Sequence, residues 1–348
     1  MKHFRFSFFI TAVCLGLAAY WGYVHTGIAG AMTALGIAAI LGVMEVSLSF
    51  DNAVVNASVL KNWNAFWQTI FLTVGILIAV FGMRLVFPLV IVAQAADLGM
   101  MEVWNLAIND PKQFSTHLIN HHAEVAAFGG VFLLLVFLNF IFDEDKELHW
   151  MGNVEEKLAS FGKVGAVPVL LALLVVVFSV SMVEEAKRFV VLIAGVWGII
   201  VYVGVDFISG LLEKEEETDV NIGAVVKGGG IGGFLYLEVL DASFSFDGVI
   251  GAFAITNDVV IIMLGLAIGA MFVRSMTVYL VKQGTLEEFV YLEHGAHYAI
   301  GILALIMFAS MKYHIPEIFT GLIGVAFIVA SVWSSVKHKR QSLLAEQK

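Results

Sequence analysis

The sequence is poor in cysteine, proline and charge, and each shortage excludes a class of structure. Cys14 is the only cysteine, so no disulfide or thiolate metal site forms within the chain. Only 4 of the 348 residues are proline and 14% are charged, so little interrupts the apolar runs. No Gly-x-x-x-x-Gly-Lys loop indicates ATP as an intrinsic driver, and no basic patch with interleaved aromatics indicates nucleic acid.

What is abundant is hydrophobicity: 60% of residues are hydrophobic and the mean hydropathy is +0.91. The apolar runs reach about 20 residues, the length needed to cross a bilayer as a helix. The sequence therefore predicts an all-α, polytopic membrane helical bundle. Ten candidate spans lie at about 6–24, 30–55, 67–92, 125–142, 164–183, 189–211, 230–254, 258–281, 295–311 and 317–335.

The distribution of positive charge predicts an orientation. With the N-terminus in the cytoplasm, 13 of the 19 lysines and arginines fall in cytoplasmic segments and four fall outside. This positive-inside bias predicts a multi-pass inner-membrane protein with both termini in the cytoplasm. The first span is interpreted as retained, because no convincing signal-peptide cleavage site follows it. The acidic runs at 143–145 and 213–219 are interpreted as solvated loop faces.

The chain is predicted to be one membrane domain over residues 1–348, organised around two repeats. Its parts are a first span at 6–24, repeat 1 at 30–142, a linker with spans 5 and 6 at 143–211, repeat 2 at 212–311, and the last span with a cytoplasmic tail at 312–348. The outer loop 94–124 is the longest segment that would face outward.

A short acidic motif occurs twice, 196 residues apart. Ser47–Asp51 reads Ser-Leu-Ser-Phe-Asp, and Ser243–Asp247 reads Ser-Phe-Ser-Phe-Asp. Glu45 precedes the first aspartate by six residues and Asp241 precedes the second by six. Carboxylates at bilayer depth are costly and usually mark an ion or substrate path. Two matched copies predict one pathway built from two related halves.

The repeat extends beyond the motif. The apolar run 75–79 leads to Arg84 in the first copy and the run 265–269 leads to Arg274 in the second at the same spacing, and a weaker match relates His122 to His294. Spans 2–4 thus correspond to spans 7–9, and five spans separate the two motif helices. The copies therefore face opposite ways, which predicts an inverted 3+3 transmembrane repeat with a site near the midplane.

Oxygen donors without cysteine favour a hard divalent cation. The predicted metal ligands are Glu45, Asp51, Asp241 and Asp247, with Mn²⁺ favoured and Ca²⁺ or Mg²⁺ as alternatives. Four further residues are predicted to support the site. Ser49 and Asn52 share a helix face with Glu45, and Ser245 shares one with Asp241. Glu238 lies three residues before Asp241 and extends the site in the second copy. The alternative to a metal site is that the acids are proton-bearing or salt-bridged structural groups.

Two geometric questions follow. Residues six apart on a helix differ by about 120° in direction, so Glu45 and Asp51 do not point at one ion unless the helix breaks near Ser49; otherwise there are two sites. By depth, Arg84 is predicted to pair with Asp247 and Arg274 with Asp51, keeping the empty carrier neutral. The alternative is that both arginines extend to the interfaces. His122 and His294 are the weakest candidates, as metal ligands or proton relays.

The two motifs, Glu-Val-Ser-Leu-Ser-Phe-Asp-Asn-Ala from Glu45 and Asp-Ala-Ser-Phe-Ser-Phe-Asp-Gly from Asp241, resemble the paired signatures of the TerC family. The closer resemblance is to its DUF475 branch, and a more distant one is to the LysE exporter superfamily. The resemblance to the TerC family covers about residues 30–311, and the first span and the loop 94–124 are interpreted as additions to the family core. It implies an inner-membrane protein connected with manganese export and tellurite resistance.

The leading hypothesis is a secondary transporter that exports Mn²⁺ or a similar cation, with protons as the counter-ion. Its partners are then the lipid bilayer, the transported ion and protons, with no tightly bound cofactor. Alternatives are an exporter of small organic cations or amino acids, and a membrane scaffold in stress response. An enzyme is disfavoured, because the Gly-x-Gly-Asp, His-Glu-x-x-His and Gly-x-Ser-x-Gly motifs are absent.

Overall fold

The structure is a computed structural model that describes residues 2–75, 77–144, 146–163, 165–212, 229–283, 288–313 and 315–346. Within these ranges the chain is helical and has no strand, which confirms the predicted all-α class. Residues 213–228, which include the predicted acidic loop face and the start of repeat 2, lie outside the described residues. The α-helices are α1 (Arg5–Leu48), α2 (Phe50–Leu60), α3 (Ala65–Ile70), α4 (Phe87–Ala96), α5 (Met100–Asn109), α6 (Pro111–Asn120), α7 (His122–Ile141), α8 (Asn153–Ala159), α9 (Val167–Val180), α10 (Arg188–Leu212), α11 (Ile231–Ile255), α12 (Val259–Gln283), α13 (Leu292–Ser310) and α14 (Glu317–Glu346).

Several of these helices match a bilayer in length and composition. In the described ranges seven qualify, or eight if the bent pair of α8 and α9 counts as one span. The sequence predicts ten, and α1 explains part of the difference because it covers the first two predicted spans. α11, the predicted seventh span, carries Glu238, Asp241 and Asp247, more acid than an apolar span usually holds. The polytopic membrane bundle is confirmed.

α1 folds back on itself near its middle. A straight helix of its 44 residues would measure about 66 Å, twice the thickness of the hydrocarbon core. Thr26 and Gly27 leave the helical conformation, and Gly27 has φ of 69°. A Cβ on Gly22 would lie 2.3 Å from the carbonyl oxygen of Gly30 on the returning leg. Glycine at this reversal permits both the positive φ and the close approach of the two legs.

Both legs of α1 pack against α12. Near the start of the first leg, the Ser7 hydroxyl donates to the Met271 carbonyl oxygen at 2.6 Å. On the second leg Leu41 lies so close to Gly265 that a Cβ there would be 2.5 Å from the Leu41 Cβ. Small residues at such crossings let membrane helices approach closely, and van der Waals packing then stabilises the pair.

The helices of the two sequence copies pack across to one another. The second leg of α1, which carries the first motif, contacts α12, the helix that follows the second motif. α11, which carries the second motif, contacts the helix that follows the first motif, and α7 contacts α13. These are the contacts that an inverted repeat requires, although the symmetry itself stays a prediction.

The helix after the first motif is unusual in its backbone. Between α3 and α4 it is π-helical over Phe71–Gly75 and Ile78–Val86, with hydrogen bonds that span five residues. A π-helix is wider than an α-helix and occurs mostly at functional sites. This segment carries Arg84 into the bundle, so its geometry decides where the guanidinium group lies.

The predicted outer loop 94–124 is largely helical. It contains α5 and α6, and the buried ring of Phe114 lies 5.8 Å from the ring of Phe253 near the end of α11. Apolar residues on one face of each short helix explain why the segment packs on the bundle. It therefore covers one end of α11.

Candidate functional site

The first motif lies at a break between two helices. α1 ends at Leu48, Ser49 has φ of −103° and ψ of 19°, and α2 begins at Phe50. The Ser49 N–H still binds the Glu45 carbonyl oxygen at 3.0 Å, so the chain turns without separating. Of the two alternatives for the first motif, the helix break near Ser49 is therefore the one that is observed.

Glu45 forms a buried ion pair at the end of α1. Its carboxylate is 2% exposed and accepts from Nη2 of Arg84 at 2.5 Å and from the Ser49 hydroxyl at 3.1 Å. The other terminal nitrogen of Arg84 donates to the Ala79 carbonyl oxygen at 2.7 Å, five residues back along the π-helix. A buried carboxylate and guanidinium tolerate this environment because each neutralises and hydrogen-bonds the other.

Glycines of the second copy make room for Glu45. A Cβ on Gly269 in α12 would lie 2.3 Å from the Glu45 Cβ, and one on Gly248 in α11 would lie 2.7 Å from Oε2. Both glycines therefore mark close approaches rather than flexible points. Glu45 of the first copy lies between two helices of the second.

Of the two predicted ion pairs across the repeats, Arg274 with Asp51 is not found among the described residues, and Arg84 with Asp247 stays a prediction. Arg84 binds Glu45, and the side chain of its predicted partner Asp247 lies outside the described residues. Arg274 donates from Nε to the Leu72 carbonyl oxygen at 2.7 Å, and the described residues contain no ion pair between it and Asp51. Depth was inferred from an ideal α-helical rise, which neither the π-helix nor the break at Ser49 obeys.

Asp51 faces away from Glu45. It is 7% exposed, and its Oδ1 accepts from the Asn52 N–H at 2.9 Å. Its Oδ2 points towards α14, since a Cβ on Gly324 would lie 3.1 Å from that oxygen. The break at Ser49 therefore does not bring the two acids of the first motif to one point.

Asp241 of the second copy is held by two amides of the first. Nδ2 of Asn56 donates to its Oδ1 at 2.9 Å, and the Asn52 side chain donates to the same carboxylate. Because a carboxylate only accepts, both amides must present their nitrogens to it. Oδ1 of Asn52 and Oδ1 of Asn56 are then buried without a hydrogen-bond partner.

These groups surround a small cavity between the two copies. Its volume is about 30 Å³, room for about one or two water molecules. Its polar lining consists of Asn52, Asn56, Arg84, Asp241, Arg274 and Thr277. The cavity therefore joins the polar face of α2, the second motif and both arginines in one place.

Two further polar side chains of α11 are buried without partners. Among the described residues, neither carboxyl oxygen of Glu238 has a hydrogen-bond partner, and neither does the Ser245 hydroxyl. Glu238 lies against the π-helix, where a Cβ on Gly75 would be 2.5 Å from its Oε1. Native interiors leave few buried polar atoms unpaired, so their concentration on the motif helices is itself a functional signal.

The three described carboxylates of the predicted site, Glu45, Asp51 and Asp241, do not form a cluster of metal ligands, and the Asp247 side chain lies outside the described residues. Among the described residues, no three histidine, cysteine, aspartate or glutamate side chains come together as metal ligands. Asp51 faces α14, and Glu45 is occupied by Arg84, so Asp241 is the acid that lines the cavity. Its polar neighbours in the cavity include the amides of Asn52 and Asn56, which supply carbonyl oxygens, and the two arginines Arg84 and Arg274.

Comparison with known proteins identifies the family. Residues 50–342 match the family described as "Protein of unknown function (DUF475)". The chain belongs to the DUF475 family. No solved structure matches it.

The DUF475 protein also resembles a curated bacterial protein. It is 32% identical over 136 residues to "Uncharacterized membrane protein YceF" of Bacillus subtilis (strain 168). The aligned segment covers 37% of this chain and 52% of the relative. The match thus spans about half the length of that relative. The predicted DUF475 membership is confirmed, and the wider TerC resemblance stays a prediction.

The family match begins and ends later than the predicted likeness over 30–311. It includes Asp51, the segment 94–124 that was interpreted as an addition, and most of α14. It does not include Glu45. The segment 94–124 is therefore part of the DUF475 region.

The two candidate histidines of the DUF475 protein lie apart from the cavity. Nε2 of His122 is 3.0 Å from the Ser310 hydroxyl. His294 lies 2.8 Å from the Leu148 carbonyl oxygen and 3.5 Å from the Glu155 carboxylate. Their contacts join helix ends and the linker, and neither approaches the described acids of the motifs.

Sequence reasoning missed a buried ion pair in the linker. Glu155 has no exposed surface and its Oε1 lies 2.6 Å from Nζ of Lys146. The interpretation as a solvated face covered only the acids at 143–145, and no sequence pattern indicated a buried partner for Glu155. Thr277 on the cavity wall was also missed, because an isolated threonine in an apolar helix carries no pattern.

Proposed function

We propose that this membrane protein is a secondary transporter that exports a hard divalent cation, Mn²⁺ above all, through the cavity between the two motif helices. The observation that carries the proposal is the set of unpaired carbonyl oxygens, Oδ1 of Asn52 and Oδ1 of Asn56, beside the Asp241 carboxylate. Amide and carboxylate oxygens are the donors that hard cations prefer. The absence of a soft ligand favours this class over Cu⁺.

The size and place of the cavity support an ion in preference to an organic substrate. A volume of about 30 Å³ suits a dehydrated ion or about one or two waters, whereas an amino acid is several times larger. The cavity also lies where helices of the two sequence copies meet, which is where transporters with inverted repeats bind their substrates. Export and proton coupling extend the proposal and follow the TerC resemblance.

The test is transport by the purified protein in liposomes that contain a fluorescent Mn²⁺ reporter. We expect Mn²⁺ flux well above that of empty liposomes, inhibited by competing Ca²⁺ or Mg²⁺ less than by unlabelled Mn²⁺. Asp241→Asn should lower the rate about tenfold or more, because the neutral amide withdraws the only formal charge among the proposed oxygen donors.

Asp258→Asn is the matched control. Asp258 lies at the start of α12, caps the N–H groups of Val260 and Ile261, and binds the Trp21 indole away from the cavity. Asparagine also caps helices, so this variant should transport like the parent. Flux no higher than in empty liposomes would remove the transporter proposal and leave the scaffold interpretation. Flux of amino acids without Mn²⁺ flux would favour the organic-substrate alternative.

A further inference from the structure

Two acids and two arginines lie at or beside the cavity, and their arrangement has a mechanistic meaning. The acids are Glu45 and Asp241, and the arginines are Arg84 and Arg274. Glu45 and Arg84 are 2% and 8% exposed, and Asp241 and both arginines line the cavity. A divalent cation entering this space would meet two guanidinium groups as well as Asp241.

Arg84 is positioned at the boundary between the ion pair and the cavity. Nη2 binds Glu45 and Nη1 binds the Ala79 carbonyl oxygen, while Nε is buried without a partner. Ala79 and Arg84 both line the cavity wall. The guanidinium group therefore separates the Glu45 carboxylate from the space in which the ion is proposed to bind.

From this placement we infer that Arg84 is a tethered counter-cation: it neutralises Glu45 in the empty carrier and leaves that carboxylate when a divalent cation occupies the cavity. The inference rests on the proposed function. Repulsion between the ion and the guanidinium group would drive the exchange, and the freed Glu45 carboxylate would then compensate the ion. An empty carrier without Arg84 would have to reorient with an unpaired buried charge, which is costly.

The inference predicts that the loss of Arg84 affects two modes of transport differently. Net Mn²⁺ flux requires the empty carrier to return, whereas Mn²⁺–Mn²⁺ exchange across the membrane does not. Arg84→Met should lower net flux about tenfold or more, while exchange should fall no more than about threefold. Both rates are measured in the same proteoliposomes with radioactive Mn²⁺, with and without unlabelled Mn²⁺ on the opposite side.

Arg84→Lys and Arg274→Met are the matched variants. Lysine keeps the charge and should recover much of the net flux, even though it lacks the bidentate geometry of arginine. Arg274 donates to a backbone carbonyl, and the described residues contain no ion pair to it, so its loss should not separate the two modes. If Arg84→Lys behaves like Arg84→Met, or if Arg274→Met gives the same separation, the inference is overturned.

A double variant without either charge controls for a loss of folding in Arg84→Met. Glu45→Gln combined with Arg84→Met removes both charges, so the double variant should recover thermal stability relative to Arg84→Met alone. No recovery, or an equal loss of exchange and net flux in Arg84→Met, would show that Arg84 serves only the fold or the ion site. A parent protein that transports no Mn²⁺ would instead refute the proposed function itself.

Discussion

The two motif helices carry nearly the same five residues, yet their acids lie in different electrostatic surroundings. Glu45 of the first copy is paired with a charged partner, Arg84. Asp241 of the second copy is held by the neutral amides of Asn52 and Asn56. The comparison teaches that residues at matched sequence positions can lie at corresponding places in the fold and still have different partners for their charges.

The backbones of the two copies differ as well. The first motif is divided at Ser49 into α1 and α2, whereas the second lies within the continuous helix α11. Ser49 donates to Glu45, while the buried hydroxyl of Ser245 at the matching position has no partner among the described residues. Unpaired polar atoms nonetheless remain in both copies, at Asn52 and Asn56 in the first and at Glu238 and Ser245 in the second.

One contact is nonetheless matched in the two copies. Gly42 and Glu238 occupy equivalent positions 196 residues apart, and Gly75 and Gly265 occupy equivalent positions 190 residues apart in the following helices. A Cβ on Gly42 would lie 3.5 Å from the Gly265 carbonyl oxygen, and Glu238 lies against Gly75. The same crossing is therefore built once with a glycine and once with a carboxylic acid.

The largest effect should come from neutralising the two acids in turn. Glu45→Gln leaves Arg84 buried with an unpaired charge and should lower the free energy of unfolding by about 3–5 kcal/mol. Asp241→Asn leaves two amides with a weaker partner and should cost about 1–3 kcal/mol. Unfolding in detergent, followed by circular dichroism, measures both. Equal losses would contradict the difference in charge compensation between the copies.

A smaller effect is expected where the copies differ in side-chain volume. Gly269→Ala would place a methyl group within 2.3 Å of the Glu45 side chain, and we expect a loss of about 1–3 kcal/mol. Ala79 already carries a methyl group at the matching position of the first copy. Gly36→Ala is the control, because nothing lies within 4 Å of the added carbon and the substitution should gain about 0.5–1 kcal/mol. Similar melting temperatures for the two variants would mean that the crossing at Gly269 is looser than described.

The smallest effect should distinguish the two serines. Ser49→Ala removes the hydrogen bond to Glu45 and should cost about 1 kcal/mol. Ser245→Ala removes a hydroxyl that lacks a partner, so stability should stay within about 0.5 kcal/mol or rise slightly. Parallel thermal melts decide the matter, and a larger loss at Ser245 would indicate a partner for that hydroxyl.

Sequence patterns predicted the class of protein and the place of the site better than its contacts. Apolar runs indicated a helical membrane bundle, and the repeated motif indicated α1, α2 and α11 as the helices of interest. Ser49 contacts Glu45, because a spacing of four residues places two side chains on one face of an α-helix. The pairing of Arg84 could not be predicted, since the π-helical backbone changes both its depth and its direction.

The sequence by itself determined that this chain is a multi-pass helical membrane protein of the DUF475 family with acids buried at two related points, because hydropathy and motif spacing are properties of the chain alone. The tertiary structure decided which acid is paired with arginine, which faces α14 and which lines the cavity. The physical reason is that charge compensation depends on distances of a few ångströms between distant segments. Those distances follow from a helix break at Ser49, a π-helical turn before Arg84 and glycines at the crossings, and local sequence patterns do not encode their combined effect.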